Sequence, residues 1–150
     1  MKRYQTFLHT IPALIWMAVI LSFTFQTGTD SAQLSGRLFE FANQLLISIN
    51  IVVDPNTLHL LIRKAAHFIE YLILGWLLLF ALKPYALTIK QKVMIVLSFG
   101  LVFASIDELI QTMIPGRVGS IVDVMIDTAG VFVGLCLYVV WIKIRKKHVL

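Results

Sequence analysis

The chain has 150 residues, of which 59% are hydrophobic and only 14% charged, with a mean hydropathy of +0.87 and a formal net charge of +5. A water-soluble domain carries about 25% charged residues, so this balance excludes an ordinary soluble fold and points to a bilayer as the solvent. Cys136 is the only cysteine, which excludes an intrachain disulfide and marks it as a packing residue.

The first apolar stretch runs from Phe7 to Phe25. Lys2 and Arg3 precede it, as they would precede a signal peptide. Its apolar run exceeds the usual signal core of about 7–15 residues, and no small-residue cleavage site follows, so a retained helix is expected. Two further runs, Val93–Ile114 and Ile121–Ile142, are uninterrupted by basic residues. A fourth, Leu58–Leu82, is broken only by His59, Arg63, Lys64, His67 and Glu70. A spanning helix needs about 20 residues. The expected fold is therefore all-α, an integral membrane four-helix bundle in one domain over 1–150, with helices at about 7–25, 58–82, 93–114 and 121–142.

The loop from Gln26 to Thr57 is too long for a simple turn. Asp30-Ser31-Ala32-Gln33 reads as a helix start with Asp30 as its cap. Leu34, Leu38, Phe41 and Leu45 recur at helical spacing, with Arg37, Glu40, Asn43 and Gln44 mostly on other faces. An amphipathic helix is expected here, lying on the outer leaflet or packed as a lid on the bundle. Asp54-Pro55-Asn56-Thr57 then turns the chain into the second span.

Charge sets the expected orientation. Nine of the thirteen basic residues lie on one side, at Lys2, Arg3, Lys83, Lys90, Lys92, Lys143, Arg145, Lys146 and Lys147. The positive-inside rule makes that side cytoplasmic and places both termini there. The basic pI thus reflects topology, and no nucleic-acid partner is expected. The tail at His148 reads as a solvated end.

Three polar islands interrupt the apolar runs. They are Arg63-Lys64-x-x-His67-Phe68-x-Glu70-Tyr71, then Asp107-Glu108-x-x-Gln111 with Pro115-Gly116-Arg117, then Asp123-x-x-x-Asp127. A charge near a bilayer centre costs roughly 2.5–3.5 kcal/mol by insertion scales, so such groups point to function. In antiparallel helices all three islands fall at one depth, the outer third of the membrane. His67 and Glu70 lie about 5 Å and about 9 Å below Lys64. Arg63, Lys64 and Arg117 oppose Glu70, Asp107, Glu108, Asp123 and Asp127, which leaves the cluster with two net negative charges. A desolvated site rarely keeps such an excess, so shared protons or a bound divalent cation are expected.

The order and spacing of these residues, with Gly130 after them and Phe23-Thr24-Phe25-Gln26, Ser31 and Ser35 before them, resemble the VanZ-like family of bacterial membrane proteins. The resemblance covers roughly residues 15–140. Asp127 stands where that family more usually has Asn, and Thr24-Phe25 near a common Ser. The resemblance implies a link to teicoplanin resistance and specifies no reaction.

Plainer roles exist for each residue. Lys64 would snorkel to headgroups, Arg63 would pair structurally with Glu70 or Asp107, and Asp127 would be structural. Trp16, Phe68, Tyr71, Trp76 and Trp141 would pack or sit at the interface, and Gly130 and Gly134 would permit close helix contact.

Two function classes follow. In one, Arg63, Lys64, His67, Glu70, Tyr71, Asp107, Glu108, Gln111, Arg117 and Asp123 bind a membrane lipid, a lipid-linked wall precursor or a lipoglycopeptide. In the other, His67, Glu70, Asp107 and Glu108 are acid–base groups of an intramembrane enzyme, around a divalent cation, acting on a lipid-linked or phosphate-containing substrate. The chain has no HExxH motif and no convincing serine or cysteine nucleophile arrangement, so whether it is an enzyme stays open at this level. The binding class is favoured because resistance can arise from altered antibiotic access without catalysis.

Overall fold

The computed structural model describes residues 2–147, so the tail at His148 lies outside the described residues. It contains five helices: α1 (Lys2–Thr24), α2 (Gly28–Ser48), α3 (Pro55–Ala81), α4 (Ile89–Gln111) and α5 (Ile121–Lys147). Among the described residues there is no strand. All but α2 contain an apolar segment long enough to cross a membrane. The all-helical expectation stands, and α2 is the extra helix between the first two spans.

Local chemistry explains where the helices begin. Asp54 caps α3, its carboxylate accepting from the Thr57 backbone N–H at 2.9 Å, and Pro55 opens the first turn where its missing N–H costs nothing. α4 starts before its apolar run because Thr88 and Gln91 close a reciprocal capping box. It also ends at Gln111, earlier than the expected 114, and short turns carry the chain to Gly116. The expected cap of α2 is corrected. Thr27, and not Asp30, caps the helix, accepting from the Asp30 N–H at 3.3 Å. The reason is a distant contact: the Gly28 N–H donates to the Pro115 carbonyl at 3.1 Å and pins the helix start to the turn between α4 and α5.

α3 is the central helix and packs most extensively on α5. Glycine makes that approach possible. A Cβ at Gly130 would meet the Phe68 carbonyl, one at Gly134 the Leu72 carbonyl, and one at Gly75 the Val131 carbonyl. The two backbones therefore touch, as small residues allow between helices in lipid. Tyr71, Leu74, Leu79, Val131 and Leu135 form the core of this contact, with Ile20 from α1 and Val96 and Ala104 from α4. Large apolar side chains also cover the outside, among them Ile15, Leu109, Met125 and Phe132. A bundle apolar within and without matches a hydrocarbon solvent.

α2 is two-sided. Leu38, Phe41 and Leu45 are exposed, while Phe39 stacks on His59 of α3 with ring centroids 4.0 Å apart. The side chain of Leu34 is outside the described set. The helix thus has an exposed apolar face and a face docked on the bundle.

Candidate functional site

α1 and α4 end, and α3 and α5 begin, at the same end of the bundle, and α2 lies across it. Contacts between residues far apart in sequence fix this: Thr24 with Asp107, Lys64 with Asp123, and Ser120 with Glu108. The three polar islands meet there.

Asp107 is the best-supported carboxylate. It is 2% exposed and accepts from three side chains. Thr24 Oγ1 and Gln111 Nε2 donate to Oδ1, the latter at 3.3 Å, and the Tyr71 hydroxyl donates to Oδ2 at 2.9 Å. Three donors around a buried carboxylate replace its lost hydration. Tyr71 is fully buried, so it positions Asp107 and does not reach the cavity described below.

Arg117 is braced on both sides. Nη1 donates to the Phe23 carbonyl at 2.9 Å and Nη2 to Gln111 Oε1 at 2.8 Å. A chain of hydrogen bonds therefore runs from Arg117 through Gln111 to Asp107. Burial of the guanidinium, with Arg63 nearby, draws its pKa below the usual arginine value, yet arginine remains a cation.

Two other carboxylates serve the start of α5. Glu108 Oε2 accepts from the Ser120 N–H at 2.7 Å. Asp123 is clasped by Lys64 Nζ at 2.6 Å, with Arg63 Nη2 at 4.0 Å. Lys64 is held by this pairing, which gives it a fixed partner in place of the expected free reach to headgroups. Beneath them, Asp127 Oδ1 lies 3.4 Å from His67 Nδ1.

A cavity of about 460 Å³ opens between α1, α2, α3 and α4. Of the expected site residues, Arg63, His67, Glu70, Asp107, Gln111 and Arg117 line it. Lys64, Tyr71, Glu108 and Asp123 stand outside its lining. Ile20, Phe23, Leu38 and Ile62 supply apolar wall, and Thr24, Gln26, Ser31 and Ser35 add neutral polar groups. Arg37 of α2 also lines it. On the sequence, Arg37 belonged to the polar side of a surface helix, and nothing local tied it to the islands. Thr24 likewise entered only through the family resemblance, because its partner Asp107 lies on another helix.

The arrangement can do two things chemically. It can bind an anion carried on an apolar chain, because arginines stand beside apolar wall. It can also hold a metal ion, because one ligand atom each of His67, Asp107 and Asp127 lies within 4.8 Å of the others.

The model of the VanZ/LLP1 family matches residues 9–142 of this chain, nearly its whole length. Neither a curated protein nor a solved structure matches it.

Proposed function

Because the chain belongs to the VanZ/LLP1 family, we propose that it is a multi-pass protein of the bacterial plasma membrane that binds an amphipathic, anionic ligand at its outer leaflet. The ligand class is a membrane lipid, a lipid-linked wall precursor or a lipoglycopeptide. One observation carries this reading: the cavity sets Arg37, Arg63 and Arg117 against Ile20, Phe23, Leu38 and Ile62. Guanidinium groups match phosphate and carboxylate, and the apolar wall matches an acyl or prenyl chain. The outer location rests on the basic residues, which flank the opposite ends of the helices. A protein holding such a ligand at the cell surface would alter the access of a glycopeptide such as teicoplanin without any reaction.

The test is retention of anionic lipid. The full chain, purified in mild detergent, is mixed with a polyprenyl phosphate or phosphatidylglycerol and read by native mass spectrometry. Arg63→Gln should weaken retention about tenfold or more, the loss expected for a charge-assisted hydrogen bond. Diacylglycerol, which lacks the phosphate, should bind weakly to both proteins. Equal phosphate-lipid retention by wild type and Arg63→Gln would overturn the reading.

A second reading is favoured by the 3.4 Å approach of His67 to Asp127 beside a cavity that also exposes Glu70 and Asp107. A histidine oriented by a carboxylate is suited to acid–base work on a lipid-linked phosphate. Turnover of such a lipid by wild type and its loss in His67→Gln would establish it.

A further inference from the structure

Asp127 has no part in the anion site proposed above. It is fully buried, and neither of its carboxylate oxygens has a hydrogen-bond donor. His67, 8% exposed, turns Nδ1 toward it at 3.4 Å, and that nitrogen also lacks a hydrogen-bond partner. His67 lines the cavity but Asp127 does not, so the Asp127 carboxylate is shut off from water. A buried carboxylate without donors is strongly disfavoured as an anion unless it takes up a proton or a positive charge meets it.

Asp107 completes a triangle with these two. One atom from each residue lies within 4.8 Å of the other two. Asp107 is also oriented as a ligand should be. Thr24 and Gln111 occupy Oδ1, and Tyr71 takes one lone pair of Oδ2. A carboxylate oxygen has two lone pairs, so Oδ2 keeps one to give. Neighbours that orient a carboxylate in this way are what tune metal affinity.

We propose that His67, Asp107 and Asp127 bind a divalent transition-metal ion, with Zn²⁺ the best match. The imidazole disfavours Mg²⁺ and Ca²⁺, which take oxygen ligands, and one nitrogen with two carboxylate oxygens suits zinc. Three protein ligands leave a coordination position open. His67 and Asp107 line the same cavity as Arg63 and Arg117. The ion also changes the sign of the site. Arg37, Arg63, Lys64 and Arg117 stand against Glu70, Asp107, Glu108, Asp123 and Asp127, a formal excess of one negative charge. A divalent ion turns that into an excess of one positive charge, which favours an anion. The recruitment of an anion by the ion rests on the binding function proposed above; the ion site does not.

The full chain is purified in detergent without chelator and its zinc measured by elemental mass spectrometry. Chelator-stripped protein is then titrated with Zn²⁺, and with Co²⁺ to read its visible ligand-field absorption. Wild type should carry stoichiometric zinc and give a Co²⁺ spectrum of low coordination number. Asp127→Asn and His67→Gln should lose both, and Tyr71→Phe should weaken Zn²⁺ about tenfold by loosening Asp107. Absence of stoichiometric uptake by wild type overturns the proposal, and this result needs no variant to fold. Full uptake by folded Asp127→Asn overturns it equally. Arg63→Gln separates the two proposals. It should keep the ion and lose phosphate lipid. If it keeps both, the anion reading fails and the ion stands. If lipid binding depends on Arg63 while no ion binds wild type, the ion alone fails.

Discussion

Tyr71 illustrates how single atoms govern this site. Its hydroxyl is one of three donors on a buried carboxylate, 2.9 Å from Asp107 Oδ2. Tyr71→Phe keeps the ring and removes the donor. Thermal unfolding in detergent should show a loss of about 1 kcal/mol, the usual net value of such a bond. An unchanged melting temperature would show that Asp107 does not need it. Glu70→Gln and Asp107→Asn test charge in place of shape. Intramembrane hydrogen bonds average only about 0.6 kcal/mol, so a neutral clasp would tolerate both exchanges. We expect both variants to insert and fold, and cells carrying them at matched protein abundance to lose whatever glycopeptide protection wild type confers. Full protection with both variants would make these charges architectural.

Helices α3 and α5 depend on backbone contact. A side chain at Gly134 would overlap the Leu72 carbonyl, which cannot rotate away. Gly134→Val should destabilise the protein by about 1–3 kcal/mol or more, as overpacking does. Gly36 of α2 is the contrast, because nothing lies within 4 Å of the position its Cβ would take. Gly36→Ala should stabilise by about 0.5–1 kcal/mol through chain entropy alone. Opposite shifts in melting temperature check the pair, and equal shifts would refute the packing argument. The start of α3 responds to acid. The Thr57 backbone N–H, then its hydroxyl, holds the Asp54 carboxyl below the usual aspartate pKa. A lowered folded-state pKa gives stability that is present above the unfolded value and lost as pH falls through the folded one. The protection factor of the Thr57 amide should therefore fall more steeply in acid than in an Asp54→Ala variant, whose protection would be reduced already at neutral pH. A parallel acid response in both would exclude Asp54 as the cause.

For the whole molecule, the site occupies one end of the bundle and most of the basic residues the other. If the basic end is cytoplasmic, a reporter fused after Lys147 will read inside and one inserted near Ala32 will read outside. Reversed signals would place the cavity in the inner leaflet and remove its access to a glycopeptide. The arrangement also explains why α2 is where it is. Gly28 is tied to Pro115, and Phe39 is stacked on His59, so α2 roofs the cavity with Leu38 in its lining while Phe41 and Leu45 stay exposed.

The helical class, the four apolar segments and the existence of α2 were legible because hydropathy and helical spacing are local properties. So was the gathering of the islands, since helix direction alone brings Arg63, Asp107 and Asp123 to one level. The amino-acid sequence by itself determined those features. It did not determine which side of each helix meets which neighbour, because periodicity places a residue on its own helix and says nothing of that helix's rotation against the next. Only the tertiary structure brought Thr24 onto Asp107 across 83 residues, and Arg37 into the cavity lining. It alone separated Lys64 and Asp123 as a closed pair from the residues lining the cavity. It also moved Asp127 from a structural role to the buried partner of His67, a contact across two helices whose backbones can touch because Gly130 and Gly134 carry no side chain.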